Sequence, residues 1–544
     1  MSWRVLKSLR KCSADGRFIV RHLLRKHAGN QQKILVEYSS PNIAKPFHVG
    51  HLRSTLIGKF VANILAECGH EVLRLNFPGD WGTQFGLLQR GFDQWGNECD
   101  LESMGVRHLL DVYVKANQMA SDNPQFYSEA KNCFRNLETG EPAAVAFWRR
   151  MNNISWNEFN RIYDILNVQF DEIRPESEFV SKADQLIETW LKHNIAIRQH
   201  DGSIGVNLAD HDNDDSVTST MSKPKSPDYV GFGLLRKSDG STVYLARDLA
   251  AVFSRYECHR FDRCLYVVGA EQTNHFDDIK AVIKRFLKTQ SILLPKSKVP
   301  LLGSGEVLPT DLAERIEHIA FGKVKGQSTR EGNVVFVDEL LEQGAKVAYE
   351  FISTAPNIRI SDPSELQTVS RQLAVSAWII ADAARHSRRE PYRFSWPSAL
   401  KQRGETATHL QYTHARLCSL VRNLGIEPES SDLIQLIENA HYELLVEAEA
   451  NTVLECLAQL EDSLRRAASS LEPSNIVDFM FTLSHTTNRA LRTLRVVEKS
   501  NVGLKDSRNA LNDAAKARLA MFVTVQQVLR QLMQLLGIVP IQRL

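Results

Sequence analysis

A strand–loop–helix–strand pattern over residues 33–77 constrains the fold more than any other part of the sequence. The run KILVEY (33–38) is rich in β-branched and aromatic residues and predicts a strand. From Val49 onward, apolar residues at helical spacing predict a helix that ends at Gly69, and EVLRLNF (71–77) predicts a second strand. This βαβ unit predicts an α/β domain whose parallel sheet binds ligands at the carboxyl ends of its strands.

The loop of that unit leads directly into a helix N-terminus, which suits phosphate because its N–H groups are unpaired. The phosphate patterns GxGxxG and GxxxxGK[ST] are absent from the chain. Instead, His48 and His51 lie three residues apart on one helical face, with Gly50 between them and Lys45 upstream. Taken alone, these residues leave a phosphate site, a metal pair and two ordinary histidines open. A metal pair needs further ligands, and no cluster of Cys, His and carboxylates accompanies it.

The stretch around the two histidines resembles a known signature. SPNIAKPFHVGHLRST (40–55) is similar to the HIGH signature of class I aminoacyl-tRNA synthetases, and especially to that of the arginyl-tRNA synthetases. Four more segments resemble the same family: GDWGTQFG (79–86), YLARDLA (244–250), VGAEQTNHF (268–276) and QYTHAR (411–416). The resemblance covers about 33–544, patchily after 420. It implies a Rossmann-like parallel sheet with helical insertions, followed by an all-α anticodon-binding bundle.

The expected organisation has three parts. Residues 1–32 form a basic segment, 33–395 a catalytic domain with a helical insertion at about 87–200, and 396–544 an α-helical anticodon-binding domain. The eight cysteines are scattered without a CxxC pair, which indicates reduced thiols in an intracellular protein. No apolar run is long enough to cross a membrane. The formal net charge is only +2, so a nucleic-acid partner needs a local basic patch.

The amino-terminal segment has its own charge pattern. Eight basic residues stand against one acid, Asp15, within residues 1–32. An acid-poor, Arg-rich and helix-compatible start is typical of a mitochondrial presequence, which predicts the mitochondrial matrix. The alternative is the remnant of an N-terminal nucleic-acid-binding domain in a cytoplasmic enzyme. Whether the segment is cleaved stays open.

The resemblance implies two groups of site residues. A guanidinium offers five donors and no acceptor, so it needs planar acceptors such as carboxylates. Glu37, Tyr244 and Asp248 are expected to receive it. The residues expected at the α-amino and carboxylate end of arginine are Ser40, Pro41, Asn42, His51 and Gln272. The residues expected to bind ATP are Lys45, His48, Gly50, His51, Gln327 and Ser328.

The second class I signature is degenerate here. HIAFGKVKGQSTREGNVVFVDELL (318–341) aligns with it through Gly332-Asn333, but its lysine positions hold Gly326 and Thr329. Met221-Ser222-Lys223 imitates the signature without the following Gly-Asn and is rejected. Lys45 is therefore predicted to neutralise the leaving pyrophosphate, which makes Lys45, His48 and His51 the expected catalytic residues. RPESEF (174–179) departs from the family pattern, and no role is assigned to it.

A basic stretch in the carboxyl third is the candidate tRNA-binding surface. Nine Lys/Arg and three acids lie between His485 and Arg530. Helical spacing places Arg489, Arg492, Arg495 and Lys499 on one face of a predicted helix. A solvated face is the ordinary explanation for such a run, and the local excess of positive charge favours phosphate contacts.

The function that the resemblance implies is arginine–tRNA ligase. Its expected substrates are arginine, tRNA(Arg) and ATP with Mg²⁺ carried by the nucleotide, and no protein-bound metal and no membrane contact are expected. The chain is expected to act as a monomer. Three alternatives stay open: another class I synthetase, a nucleotidyltransferase that shares HxGH, and an inactive tRNA-binding paralogue that has lost the loop lysines.

Overall fold

The computed structural model describes residues 3–12, 16–208, 231–293, 308–325, 336–354, 360, 362–401, 404–427, 430–496 and 511–544. Its strands, in chain order, are β1 (Lys33–Glu37), β2 (Glu71–Asn76), β3 (Glu172–Ile173), β4 (Ile197–Arg198), β5 (Ile204–Asn207), β6 (Phe232–Arg236), β7 (Arg263–Tyr266) and β8 (Ile316–His318). Helices α1–α11 are Trp3–Cys12, Ile19–Lys26, Val49–Glu67, Thr83–Trp95, Glu98–Met104, Val106–Asp122, Pro124–Glu138, Pro142–Leu166, Val180–Lys192, Tyr244–His259 and Thr273–Leu293. Helices α12–α20 are Val337–Thr354, Pro363–Ala383, Trp396–Ala399, Ala407–Arg422, Ser431–Glu438, Ala448–Ala458, Leu460–Ser470, Ser474–Thr493 and Asp513–Leu535.

A five-stranded parallel sheet forms the centre of the amino-terminal part of the chain, in the order β3-β2-β1-β7-β8. Side chains of β1 alternate between its two faces: Ile34 and Val36 join the core that contains α3, and Leu35 joins the core that contains α10 and α11. Both faces are therefore covered, as parallel sheets require. The chain leaves β1 toward β2 on one side and later returns to β7 on the other. The carboxyl end of β1 is thus a topological switch point, where open α/β sheets bind ligands.

The predicted βαβ unit is confirmed. The strand β1 and the helix α3 lie where the sequence predicts them, and Gly69 just after α3 has a φ of +99°, which favours glycine. Helix α3 is buried on nearly all sides because the sheet, helix α13 and helix α20 surround it. The fold class expected from the sequence, a parallel sheet with helical insertions followed by a helical bundle, is confirmed as well.

Three local patterns of the sequence predict strands that differ from those in the structure. TVYLAR (242–247) predicts a strand that runs into a helix, but only Thr242 forms a bridge, to Arg236, and α10 begins at Tyr244. The strand before it, β6, is predicted to join the parallel sheet, but it forms a separate antiparallel sheet with β4 and β5. The run from His318 predicts a strand that continues beyond this residue, but β8 ends there. Met221-Ser222-Lys223 lies outside the described residues.

The amino-terminal helices pack against the helical bundle. Helix α1 lies against α17 and α20, and α2 lies against α18, α20 and α3. Leu6, Leu9, Leu23 and Leu24 are buried there. Gln531 of α20 donates to the Gly16 carbonyl at 2.8 Å and accepts from the Val20 N–H at 3.0 Å. In this structure the basic amino-terminal segment is therefore part of the helical bundle.

All eight cysteines are free thiols in the structure. Within the described part of the chain, no helix is both long and apolar enough to span a membrane. In the same residues, no group of three or more His, Cys, Asp and Glu side chains is arranged to hold a metal ion.

Candidate active site

The two signature histidines cap the start of helix α3 reciprocally. The Nδ1 atom of His48 accepts from the Gly50 N–H at 3.1 Å and from the His51 N–H at 3.4 Å, and Nδ1 of His51 accepts from the His48 N–H at 3.4 Å. A backbone N–H can only donate, so each Nδ1 must be unprotonated. Each neutral ring therefore has its proton on Nε2. The capping box aims two Nε2–H donors away from the helix.

The environment keeps both rings uncharged. Burial, and then the Lys45 ammonium, lowers the pKa of His48 to about 4. Burial, with the charges of His48 and Lys45, holds the pKa of His51 well below its usual value. The rings stack at 3.7 Å with an interplanar angle of 15°. Because both stay neutral near pH 7, they donate hydrogen bonds without an additional charge.

The helix N-terminus does not offer free N–H groups as fully as the sequence suggested, since His48 occupies two of them. Gly50 also has a different explanation from close approach of a ligand. A Cβ at this position would lie 2.9 Å from Cε1 of His48, so glycine leaves room for the capping ring. At this helix start the imidazole Nε2–H groups remain free of partners among the described residues, and they are the candidates for binding phosphate.

The loop before the histidines adopts a costly backbone. Ser39, Ser40 and Ala44 have positive φ values of 72°, 43° and 59°. Left-handed conformations cost non-glycine residues about 1–2 kcal/mol each. Hydrogen bonds fix them: the N–H groups of Ser39, Ser40 and Ala44 donate to side chains of Ser54, Asn76 and Ser155 at 2.9, 3.1 and 2.9 Å. The arrangement presents Pro41 and Asn42 at the switch point, where both bridge to Gly79.

Lys45 lies beside the histidines. Its Nζ is 5.4 Å from the centroid of the Tyr113 ring, a cation–π contact with the helical insertion. Its charge lowers the pKa of both His48 and His51, which places the ammonium on their side of the loop. This is the position from which a lysine can reach a phosphate bound by the Nε2–H groups.

The residues predicted for the guanidinium gather at the carboxyl edge of β1. Glu37 ends that strand and is 5% exposed, with the Ser40 hydroxyl 3.5 Å from its carboxylate. Asp248 lies one turn into α10, and its charge raises the pKa of Glu37. Tyr244 begins α10 and is 59% exposed. Gln272 lies at the same edge after β7, exposed in the short 3-10 helix Ala270–Gln272.

Four important residues were missed by sequence reasoning. Glu176, in the segment left without a role, is buried 2.5 Å from Nε of Arg247. Burial raises the pKa of Glu176 to about 7, although Arg247 opposes the shift, and the Asp248 charge adds to it. The other two are Arg255, 2.6 Å from Glu37, and His275, whose Nε2 is 2.6 Å from Asp248. The polar run after each strand was the signal available, but the pairings join distant positions that no spacing reveals.

The second signature lies mostly outside the described residues, including Gly326, Gln327, Ser328, Thr329, Arg330, Gly332 and Asn333. Lys323 and Lys325 are described, and the backbone around them pairs with Tyr392. Arg53 of α3 connects the segment before Lys323 to the helix that carries the two histidines. It is 1% exposed, donates to the Gly322 carbonyl and forms a 2.8 Å ion pair with Asp382.

The candidate tRNA-binding residues lie on the helical bundle. Arg489 and Arg492 are exposed on α19. The prediction of one continuous helical face is wrong beyond them, because α19 ends at Thr493 and Arg495 follows it. The Arg495 carbonyl accepts from Arg518 at 2.9 Å. Lys499 lies outside the described residues.

Comparisons with known proteins identify the class first. The family described as "tRNA synthetases class I (R), catalytic domain" matches residues 17–298 and 305–396, and "DALR anticodon binding domain" matches 410–544. The chain is 34% identical over 515 residues to a protein of Bos taurus named "Probable arginine--tRNA ligase, mitochondrial", covering 94% of this chain and 79% of the relative. It is also 34% identical over 524 residues to "Arginine--tRNA ligase, cytoplasmic" of Saccharomyces cerevisiae, covering 94% and 77%.

Two solved structures share the fold of this chain. The structure of Thermus thermophilus arginyl-tRNA synthetase matches with a TM-score of 0.70 at 20% identity, covering 96% of this chain and 85% of that one. The Plasmodium falciparum arginyl-tRNA synthetase matches with a TM-score of 0.67 at 22% identity, covering 96% and 78%. The chain belongs to the arginyl-tRNA synthetase family.

Proposed function

We propose that this chain activates arginine with ATP and transfers it to tRNA(Arg) at the carboxyl edge of its parallel sheet. As a family member the chain is an arginine–tRNA ligase, so the proposal concerns which residues do the work. The arginine carboxylate attacks the α-phosphate of ATP, giving arginyl-adenylate and pyrophosphate. The terminal ribose hydroxyl of the tRNA then attacks the activated carbonyl, and AMP leaves. ATP brings its Mg²⁺ as part of the substrate.

The reciprocally capped histidine pair is the observation that best supports the phosphate chemistry. In-line phosphoryl displacement needs positioning and charge stabilisation more than covalent catalysis. The fixed Nε2–H groups of His48 and His51 can donate to the α-phosphate oxygens as charge builds on them, without rearrangement at that moment. Lys45 can neutralise the leaving pyrophosphate. Gln327, Ser328 and Gly50 belong to the proposed ATP site from sequence alone.

The carboxylates at the switch point support arginine as the amino acid. Asp248, with Glu37 and Tyr244, is proposed to accept the guanidinium, and Glu176 joins this set. Ser40, Pro41, Asn42, His51 and Gln272 are proposed to bind the α-amino and carboxylate groups. Lysine offers a point charge without a planar fork and would leave acceptors unpaired, which costs more than a missing methylene.

Exchange of pyrophosphate into ATP tests the assignment. With tRNA(Arg) present and absent, arginine should drive exchange, and lysine or glutamine should not. Exchange driven by another amino acid and not by arginine would overturn it. An enzyme that binds tRNA(Arg) yet exchanges with no amino acid would be the inactive paralogue.

We also propose that the protein acts as a monomer in the mitochondrial matrix. Light scattering on the purified protein tests the oligomeric state. Similarity to mitochondrial and cytoplasmic ligases is equal at 34% identity, so the basic N-terminal segment is the argument for mitochondria. A fusion of residues 1–32 to a fluorescent reporter should enter mitochondria, and a diffuse cytosolic signal would support the cytoplasmic alternative.

A further inference from the structure

Three carboxylates face the proposed arginine pocket, and each already has a partner from the chain. The pairs are Glu37 with Arg255 at 2.6 Å, Glu176 with Arg247 at 2.5 Å, and Asp248 with His275 at 2.6 Å. A pocket for a cationic side chain thus has its negative charges largely engaged before the substrate arrives. Arginine recognition therefore depends on which of the three carboxylates is free to accept a hydrogen bond from the guanidinium of the substrate.

The three pairs differ in how far their side chains are exposed to solvent. The side chains of Glu37 and Arg255 are 7% and 4% exposed, and those of Glu176 and Arg247 are 5% and 6% exposed. Asp248 and His275 are 28% and 25% exposed, so a ligand can reach them. An arginine keeps its charge at any ordinary pH, whereas a histidine can lose it. Only the Asp248 pair therefore combines access with a partner that can become neutral.

Two carboxylates act on His275, Asp248 of α10 and Asp278 of α11 itself. The short 3-10 helix before α11 carries Glu271, and His318 of β8 stacks on Phe276, the neighbour of His275 in sequence. Burial lowers the pKa of His275, but the hydrogen bond and charge of Asp248, with the charge of Asp278, outweigh it and leave the pKa raised. Burial lowers the pKa of His318, so this neighbour does not add a competing positive charge in the same range.

We propose that His275 is a positioning residue that makes arginine recognition depend on its protonation. This inference rests on the proposed function. Neutral His275 donates Nε2–H to one oxygen of Asp248, which orients the carboxylate and leaves its charge for the guanidinium. Protonated His275 cancels that charge and competes with the substrate. Arginine binding then releases a proton from His275.

Glu176 also titrates between pH 5.5 and 8.5, because burial raises its pKa to about 7. It is present in the wild type and in every variant, so the difference between the wild type and a His275 variant isolates His275. The pKa values of His48 and His51 are lowered, so these rings stay neutral above pH 5.5. The guanidinium of the substrate keeps its charge throughout. Any titration of the substrate's other groups is common to the wild type and every variant, so it cancels in their comparison.

The test compares the wild type with His275→Gln, which keeps an amide donor but cannot be charged. Pyrophosphate exchange gives the KM for arginine, the KM for ATP and kcat between pH 5.5 and 8.5. Below the pKa of His275, the wild-type KM for arginine should rise up to about tenfold per pH unit, with the KM for ATP nearly constant. In His275→Gln that rise should shrink to the part that protonation of Glu176 contributes. His193→Gln, at an exposed position after α9, is the matched control and should behave as the wild type.

A second measurement counts the protons released. Calorimetry of arginine binding in two buffers of different ionisation enthalpy should show that the wild type releases more protons than His275→Gln near and below the pKa of His275. An acid rise in KM that is as steep in His275→Gln as in the wild type, or equal proton release by the two proteins, would overturn the inference. A wild-type protein with no arginine-dependent exchange at any pH would instead overturn the proposed function.

Discussion

The carboxyl edge of the parallel sheet and the exposed basic face of α19 differ in whether their charged side chains are paired. At the sheet edge, Glu37, Glu176 and Asp248 are each paired with a basic side chain of the protein, and two of these pairs are almost fully buried. On α19, Arg489 and Arg492 are exposed, and no ion pair involves them among the described residues. A small substrate is selected by a few polar groups that their partners already hold in place. A polyanion is bound by charges that stay in water until they displace counterions.

The largest expected effect follows from removing the one accessible carboxylate. Asp248→Ala removes the acceptor proposed for the guanidinium and leaves His275 without its partner. Losing a charged hydrogen-bond partner at a half-buried site costs about 3 kcal/mol, or roughly 150-fold in kcat/KM for arginine. Steady-state pyrophosphate exchange measures it. Asp277→Ala, on the exposed face of α11, is the control, and a loss below threefold for Asp248→Ala would remove this carboxylate from the site.

Lys45→Ala comes next. If Lys45 neutralises the phosphates in place of the missing loop lysines, the adenylation rate should fall about a hundredfold, with ATP binding less affected. Single-turnover activation measures that rate, and Thr329→Lys should restore part of it. Near-normal adenylation by Lys45→Ala, together with a crippled Lys325→Ala, would assign the phosphate charge to the second signature instead.

The carboxyl-terminal helical bundle also has a buried titratable group, His414 of α15, and here the expected effect is on stability rather than on activity. His414 accepts from Gln526 at 2.9 Å through Nε2 and lies 2.9 Å from the Ile541 carbonyl through Nδ1, an arrangement of a neutral ring. Burial lowers its pKa from 6.5 to about 4. Because the unfolded chain binds the proton more readily, stability is complete above pH 6.5 and falls as the pH drops toward 4.

At pH 5 this single group should cost about 2 kcal/mol of unfolding free energy relative to pH 7.5. Urea unfolding of wild type and His414→Gln at both pH values measures it. The variant should be less stable at pH 7.5 but should show a smaller loss on acidification. The exposed His441→Gln should keep the wild-type pH dependence, and an equal acid loss in all three proteins would show that His414 is charged in the folded state.

The smallest effect is expected on α19. Arg489→Gln with Arg492→Gln should weaken tRNA binding by about tenfold or less and reduce the slope of log Kd against log salt by up to about 0.9 per lost phosphate contact. Arg465→Gln, whose arginine pairs with Asp462 on α18, is the matched control. Binding measured at several salt concentrations gives the slope. An unchanged slope would make this face a solvated surface, as its exposure alone would suggest.

The sequence predicted most of what local chemistry determines. The βαβ unit and the position of the histidine pair at the start of α3 follow from spacing and turn residues over short stretches. Tyr244 and Asp248 are identified through the resemblance to a family. The partners of the carboxylates do not follow from spacing, because Glu37 meets Arg255 and Glu176 meets Arg247 only after the sheet has formed. The antiparallel sheet was missed since its short strands differ little from those of the parallel one. The predicted basic face on α19 included Arg495, although the helix ends at Thr493, because the spacing of basic residues does not show where a helix ends.

The packing of α1 has a consequence for how the chain is made. Helix α1 is synthesised early, but its partners α17 and α20 are among the last helices to be translated, and Arg10 bonds to Gln527 across 517 positions. At about 5–20 residues per second, that separation corresponds to about 25–100 s of synthesis. Until α17 and α20 are made, Leu6 and Leu9 lack the partners that these two helices supply, while Arg4, Lys7 and Lys11 lie on the exposed side. The nascent chain therefore exposes an apolar face beside basic side chains, and the finished protein covers that face.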